Sequence, residues 1–401
     1  MTTTTDVRPA RTTNFGPAVL ALAVGGFAIG TTEFVTMGLL PQISEGVGVS
    51  IPQAGHVISA YALGVVVGAP VLAFFGAKWP RRGLLVVLMG AYALFNALSA
   101  VASSFEMLVV ARFLDGLPHG GYFGVASLVA ASMVAPERRG RAIAWVLLGL
   151  PVANVVGVPA ATVLGQHLGW RASYWLVAAL AALTMVLVVA FVPACPGNPE
   201  ATGRRELSAF GKPQVWLTMV AGAIGFGGMF ALFSYIAPTV TEVSGLPASA
   251  VPVFLLTLGL GMVVGNWAAG HLVDRSVLGS LLGSSIGLGV VLLGFWAVAP
   301  HGWVALPAAF AVTFVGSVLA LSMMIRLIDV AGHAQTLGAA MSHSSLNVGN
   351  ALGAWLGGLV IAAGFGFRAP IVVGVALAVA GFLVVVASAV VQRRRGSVSA
   401  G

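Results

Sequence analysis

Apolar runs of about 20 residues, separated by short polar or Pro/Gly-containing joints, recur along the whole chain. They fall at 17–40, 54–75, 83–102, 107–134, 142–165, 172–192, 215–238, 251–271, 279–299, 303–326, 337–362 and 370–391. A helix of that length crosses roughly 30 Å of hydrocarbon, and a lone span has to satisfy its backbone internally. The runs far exceed the roughly 10-residue alternating segments of a membrane barrel. The pattern therefore predicts an all-α membrane protein of twelve transmembrane helices. The first run is too long for a signal-peptide core and no small-residue cleavage pattern follows it, so it is expected to remain as the first helix.

Composition strengthens this reading, because 59% of the residues are hydrophobic and only 7% are charged. A water-soluble domain with that balance could not cover its surface with polar groups. The 53 glycines suit close packing of helices in lipid. A net charge of +8 raises nucleic acid as a partner, but the cations are not gathered into a footprint. With a cytoplasmic N-terminus, 16 of the 19 Lys and Arg fall in the same set of joints and ends, leaving Arg171 and Arg368 on the other side and Arg112 inside a span. The positive-inside rule thus predicts a multi-pass plasma (inner) membrane protein with both termini cytoplasmic. Cys195 is the lone cysteine, has no disulfide partner or metal-site companion, and is given no role.

The second half of the chain repeats the first at a fixed offset. Pro41 and Glu45 recur as Pro238 and Glu242, Gly68 and Lys78 as Gly265 and Arg275, and Arg171 as Arg368, each 197 residues on. Asn154 and Gly157 recur as Asn350 and Gly353 at 196. The expected organisation is two pseudo-symmetric six-helix bundles, 1–192 and 215–401, joined by a cytoplasmic linker at 193–214 that holds Pro193, Pro196, Pro199, Arg204, Arg205 and Lys212. Duplicated halves with a binding site between them are how rocking-bundle transporters are built.

The stretch Gly265–Gly279, GNWAAGHLVDRSVLG, contains G-x-L-x-D-R ending on Asp274 and Arg275. With TTEFVTMGLLP at Thr31–Pro41, SIPQAGHVISAYALGVVVGAP at Ser50–Pro70, ARFLDGLPHGGYFGVAS at Ala111–Ser127 and VANVVGVP at Val152–Pro159, the chain resembles the major facilitator superfamily over nearly its whole length. It is most similar to the drug:proton antiporter branch, in the manner of bacterial arabinose and sugar efflux permeases and chloramphenicol exporters. Gly149, Gly157, Pro159 and Gly165 resemble that branch's antiporter signature in the fifth helix. The resemblance implies gating roles for Gly157, Pro159, Asp274 and Arg275, and for Lys78 and Arg81 in the first-half copy of the loop motif. That copy departs from the family pattern, since Ala77 stands where an Asp is usual.

Charges inside hydrocarbon cost at least about 2.5 kcal/mol each, so Glu33 in the first run and Arg112 and Asp115 in the fourth each need a reason. Counted from the outer ends, Glu33 is eight residues from Pro41 and Asp115 nine from Glu106, so both lie about 12–14 Å deep. Arg112, Asp115 and His119 share one helical stripe at i, i+3, i+7. Arg112 attracts a neighbouring carboxylate while the apolar surroundings oppose its charge, and a small helix movement can tip that balance, as a proton carrier requires. The alternative is a static ion pair that fixes packing, with His119 a hydrogen-bonded filler. Glu33 stands apart as an isolated carboxylate. Phe230 and Ala309 occupy the second-half places of Glu33 and Arg112, which confines the proton chemistry to the first half.

For a solute, Phe226, Phe230 and Phe233 recur on one face beside Tyr235, and His343, Asn347 and Asn350 follow i, i+4, i+7. Together with Phe123 and Asn154 they are the candidate contacts for a neutral or weakly polar small molecule. Packing of the Phe residues against core or lipid, and interhelical hydrogen bonding of the Asn residues, are the competing readings. Neither a catalytic constellation, nor a phosphate loop, nor metal-ligand spacing is present in the sequence. The expectation is a monomeric, cofactor-free exporter exchanging a small organic solute for protons, with lipid and no nucleic acid as surroundings. A proton-symport importer and a non-transporting membrane sensor are the alternatives.

Overall fold

The structure is a computed structural model and describes residues 15–76, 78–197, 212–331 and 335–398. Ala77, Arg204, Arg205 and most of the expected linker lie outside the described residues, as do the N-terminal Arg8 and Arg11. The described elements are helical: α1 (Phe15–Gly38), α2 (Ile51–Gly76), α3 (Arg81–Val101), α4 (Phe105–Ser132), α5 (Pro136–Leu168), α6 (Trp170–Phe191), α7 (Pro213–Phe233), α8 (Val251–Arg275), α9 (Val277–Val298), α10 (Ala305–Ala331), α11 (Gln335–Val360) and α12 (Ala369–Val398). Ten stretches are apolar and long enough to cross a membrane; one of these, Val277–Ala331, holds both α9 and α10. With α4, which carries the buried Arg112 and Asp115, the described helices of membrane-spanning length number twelve. Most sequence boundaries hold to within about four residues; α5 begins six residues before its apolar run, and α10 and α12 end five and seven residues after theirs.

The first and seventh runs end earlier than their apolar lengths suggest, and at equivalent places. α1 stops at Gly38, Leu39 turns out of helix (φ −111°, ψ 14°), and a short helix restarts at Leu40. α7 stops at Phe233, Tyr235 adopts nearly the same angles (φ −115°, ψ 23°), and helix restarts at Ile236. The cause is Pro41 and Pro238, each lacking the N–H that would bond the carbonyl one turn back. In α5, Pro159 follows a π-helical turn at Ala153–Gly157 for the same reason.

Lipid supplies no hydrophobic drive between helices, so packing depends on close approach through small residues. In the first half, Gly64 and Gly68 of α2 lie against the backbone of α4, where a Cβ would strike the carbonyls of Phe113 and Leu117. In the second half, Gly261 and Gly265 of α8 meet the carbonyls of Phe310 and Phe314 on α10 in the same way. All four glycines and all four carbonyls are related by the 197-residue offset. The repeated arginines behave alike as well. Arg171 stacks on Trp170 at 4.2 Å and donates to the Ala102 carbonyl at 2.8 Å, closing the end of α3. Arg368 stacks on Trp296 at 3.7 Å and donates to its carbonyl at 2.6 and 2.9 Å near the end of α9. The fold is two pseudo-symmetric six-helix bundles.

The halves meet along a seam of α1, α2 and α5 against α7, α8 and α11. On the face away from the start of α1 and the end of α12, that seam is closed by one apolar core, in which Phe34, Met37, Leu40, Ala54, Ile58 and Val158 pack among second-half residues. Gln166 at the end of α5 donates to the Ala248 carbonyl ahead of α8 at 2.8 Å, and Ser59 of α2 donates to the Ala351 carbonyl of α11 at 3.1 Å. The opposite face, where α1 begins and α12 ends, is called the terminal face below.

Enlarging Gly68 or its counterpart Gly265 should cost about 1–3 kcal/mol through overpacking. Thermal unfolding in detergent should therefore show Gly68→Val and Gly265→Val lowered by similar amounts. Gly83, which has open space where a Cβ would sit, should tolerate alanine.

Candidate transport site

Three faces of α1 are used differently over three consecutive residues, and this organises the site. Thr32 points into the first half, Phe34 into the seam, and Glu33 lies between them at 6% exposure.

Inside the first half, Arg112 and Asp115 are fully buried and form an ion pair at 2.5 Å, the one such pair among the described residues whose partners are both on α4. The second Asp115 oxygen accepts from the Asn96 amide of α3 at 2.7 Å. Thr32 donates to the Asn96 side-chain carbonyl at 2.7 Å, and Arg112 reaches the Thr32 hydroxyl and carbonyl at 3.4 and 3.3 Å. Arg112, Asp115, Asn96 and Thr32 thus close a ring over three helices. Tyr61 lies 4.2 Å and Tyr174 5.3 Å from the guanidinium carbon, ring faces toward it. This desolvated ring commits both Asp115 oxygens. Thr32, Asn96, Tyr61 and Tyr174 had no sequence signal beyond being polar in a span. His119 joins a neighbouring chain, with its Nδ1 2.9 Å from the Tyr61 hydroxyl, itself 3.0 Å from that of Tyr92.

Glu33 stays outside the ring, within electrostatic reach of Arg112 and beside Asn350 of α11. The Asn350 amide is fully buried and acts on the Glu33 carboxylate as a hydrogen-bond donor, in a geometry short of a well-formed bond. One turn away, Asn347 donates to the His343 carbonyl at 3.0 Å while its own Oδ1 has no partner. A buried amide atom left unpaired costs about 1–3 kcal/mol, so Asn350 depends on Glu33 across the seam. Asn154, the repeat counterpart of Asn350, is satisfied locally by donating to Leu150 at 3.1 Å. The repeat is therefore broken at the residue that faces Glu33.

Aromatic rings flank this polar spot. Phe226, Phe230 and Phe233 are buried in the seam and do not face lipid; Phe34 lies 6.3 Å from Phe230, stacked, and 5.1 Å from Phe233. Phe34 was not singled out from the sequence, although it adjoins Glu33. On the terminal side, Phe123 of α4 stacks on half-buried His343 at 6.3 Å across the seam, and His119 meets Phe123 edge-on at 5.6 Å. Tyr235 is placed elsewhere than expected. Its hydroxyl donates to the Ala354 carbonyl at 2.7 Å, and its ring fills space left by Gly55 of α2 and Gly357 and Gly358 of α11. It closes the far face: nine residues beyond Phe226, it falls on the opposite side of the helix by the 3.6-residue period alone, and the helix is interrupted at this residue.

The glycines of the fifth helix pack within the first half. A Cβ on Gly157 would meet Thr31 and the Phe27 ring, and one on Gly149 the Ala23 carbonyl, so both seat α5 on α1 within the first half. The close approach between halves comes instead from Gly259 of α8, which lies against the Asn154 carbonyl. Pro159 is half-buried beside the π-helical turn. Lys78, Asp274 and Arg275 are exposed and Arg81 half-buried, and none of their side chains forms an ion pair among the described residues.

Twin helical bundles, with buried polar groups and aromatic rings gathered at the seam between them, define a polytopic membrane transporter. The profile of the Major Facilitator Superfamily matches residues 22–343. The chain is 39% identical over 373 residues to the inner membrane transport protein YdhP of Escherichia coli (strain K12), covering 92% of this chain and 95% of that one. It is 36% identical to a chloramphenicol resistance protein of Streptomyces lividans, covering 83% and 86%. In fold it matches the inward-facing, unoccupied crystal structure of a bacterial homolog of the human lysosomal transporter Spinster, with a TM-score of 0.74 over 94% of this chain and 97% of that one, at 17% identity. This chain belongs to the Major Facilitator Superfamily, whose members are transporters and not enzymes.

Removing one partner of the ring leaves a charge unpaired in a low-dielectric site, a loss of about 3–5 kcal/mol. Arg112→Ala should therefore lower the unfolding midpoint sharply. Arg112→Met combined with Asp115→Leu should recover most of that stability, and a double variant no better than the single would show that the pair does more than neutralise itself.

Proposed function

We propose that the protein is a proton-coupled exporter of a small organic solute in the inner membrane, both termini cytoplasmic, working by alternating access between its two halves, with Glu33 as the proton carrier. The observation that carries this is the position of Glu33: a buried carboxylate outside the closed ring, at the seam, facing the buried Asn350 amide of the other half. An intramembrane carboxylate held that way is functional by default. Movement of one half against the other changes its surroundings, while the Arg112 ring travels with the first half as a unit.

The solute site is read as the same seam, with Phe34, Phe226 and Phe230 as apolar wall and Asn347, Asn350 and His343 as polar contacts. A neutral or weakly polar molecule fits such a set, since Glu33 is reserved for the proton and Arg112 is neutralised by Asp115. Phe123 and Asn154 border it on the terminal side and at α8. Efflux is supported by the name of the Streptomyces relative and by the fifth-helix pattern of Gly149, Gly157, Pro159 and Gly165. In this reading the structure stands with its far face shut by Tyr235 and the apolar core, and Asp274 is free to engage when the terminal face shuts in turn.

Glu33→Gln keeps shape and polarity but has no titrating proton, so the variant should insert and fold normally and lose gradient-driven transport along with its pH dependence. Chloramphenicol efflux from inverted and right-side-out vesicles under imposed pH gradients measures this. Undiminished gradient dependence in Glu33→Gln would sink the carrier role, and wild-type accumulation in right-side-out vesicles with an inward proton gradient would make the protein an importer.

The latch gives a second test. Asp274→Asn should populate the conformation open at the terminal face, seen as faster labelling of single cysteines there in a Cys195→Ser background. Unchanged labelling would leave Asp274 a role in folding or insertion only.

A further inference from the structure

Away from the seam, a groove of about 740 Å³ runs between the start of α3 and the end of α6 at the terminal face, lined by Arg82, Val86, Val87, Val189, Ala194 and Pro196. Its two walls are tied together. The backbone N–H of Arg81 donates to the Cys195 carbonyl at 2.9 Å, and the Arg82 guanidinium donates to the Val189 carbonyl. Gly83 opens onto free space, so the groove is formed and not collapsed.

Apolar surface at this depth is solvated by acyl chains in any case, and the feature that calls for a reason is the rim. Lys78 and the side chain of Arg81 have no hydrogen-bond or ion-pair partner among the described residues, and Arg82 spends one donor on Val189. No acid occurs from Gly76 to Arg82, whereas the corresponding second-half loop holds Asp274. The cluster is also absent from the other half: 197 residues on, Lys78 becomes Arg275, but Arg81 and Arg82 become Leu278 and Gly279, and Val86 and Val87 become Gly283 and Ser284. Where the rest of the fold is duplicated down to single glycine contacts, this groove and its cations belong to one half only.

We propose that the groove binds an anionic phospholipid, with an acyl chain along Val86, Val87 and Val189 and the headgroup phosphate held by Lys78, Arg81 and Arg82. Guanidinium groups match phosphate oxygens in geometry as well as charge. Half-exposed Trp79 marks the interface at which the headgroup would lie. A free anion would need the cations alone; a lipid needs cations and groove together, and that difference separates the two.

The test is native mass spectrometry of the full-length protein titrated with phosphatidylglycerol or with phosphatidylcholine of the same chains. Wild type should retain phosphatidylglycerol preferentially. Each basic residue near the membrane surface contributes about fivefold in binding, so Arg81→Ala with Arg82→Ala should lower phosphatidylglycerol retention about 25-fold and leave phosphatidylcholine unchanged. Arg82→Lys should keep most of the preference. Gly83→Phe, which fills the groove without touching any charge, should remove the tightly held lipid from a protein whose unfolding midpoint is unchanged. Equal retention of the two lipids by wild type would overturn the proposal, as would full phosphatidylglycerol retention in the double variant. Indifference to Gly83→Phe, with inorganic phosphate displacing the lipid, would overturn it in favour of a simple anion patch.

Discussion

In hydrocarbon every polar atom has to find its partner inside the protein, and most of what this chain does follows from that requirement. The backbone meets it by helix formation. The charged groups of α4 meet it by closing a ring with Asn96 and Thr32. Where the chain breaks helix, at Leu39 and Tyr235, a proline a few residues on accounts for the break. Some buried atoms of the described residues still lack a well-formed hydrogen bond, among them Arg112 Nε within the ring and, at the seam, amide atoms of Asn350 and Asn347. Those amides lie beside Glu33, where a solute or a moving carboxylate could complete them.

Close packing is the second consequence. Without a hydrophobic drive between helices, contact area comes from letting backbones touch, and glycines on α2 and α8 do this at matched positions. The same device is used on the seam at Gly259, and at Gly55, Gly357 and Gly358 around Tyr235. Close contacts of this kind within a half are thus repeated in the other. Those between halves use single close approaches, ring stacks and a few hydrogen bonds, which suits bundles that move against each other as bodies.

Departures from the repeat then become informative. Glu33 against Phe230, Arg112 against Ala309, the locally satisfied Asn154 against the Asn350 that faces Glu33, and Arg81–Arg82 against Leu278–Gly279 all break a symmetry that the scaffold keeps. Packing alone would be served by similar residues in both halves. The asymmetric positions are where proton, solute and lipid are assigned.

The sequence by itself determined the membrane solvent, the twelve spans, the duplication and the buried charges, because each is written in local composition or in a fixed spacing. Run length and hydropathy need no knowledge of neighbours, and the 197-residue offset is visible as identity of residues. It could also mark Glu33 and Arg112 as costly. Only tertiary structure decided which carboxylate Arg112 takes, since Asp115 and Glu33 are both acids at similar depth and the choice rests on Asn96 and Thr32 arriving from α3 and α1. Likewise Gly157 and Gly259 look alike as glycines, yet one seats α5 on α1 and the other meets the opposite half. Tyr235 stands about half a turn from the face of Phe226 and Phe230 by periodicity alone, but only the fold shows that it packs against α2 and α11. Partner choice among residues of one chemical type depends on helix rotation and crossing, and those are set by contacts between segments far apart in the chain.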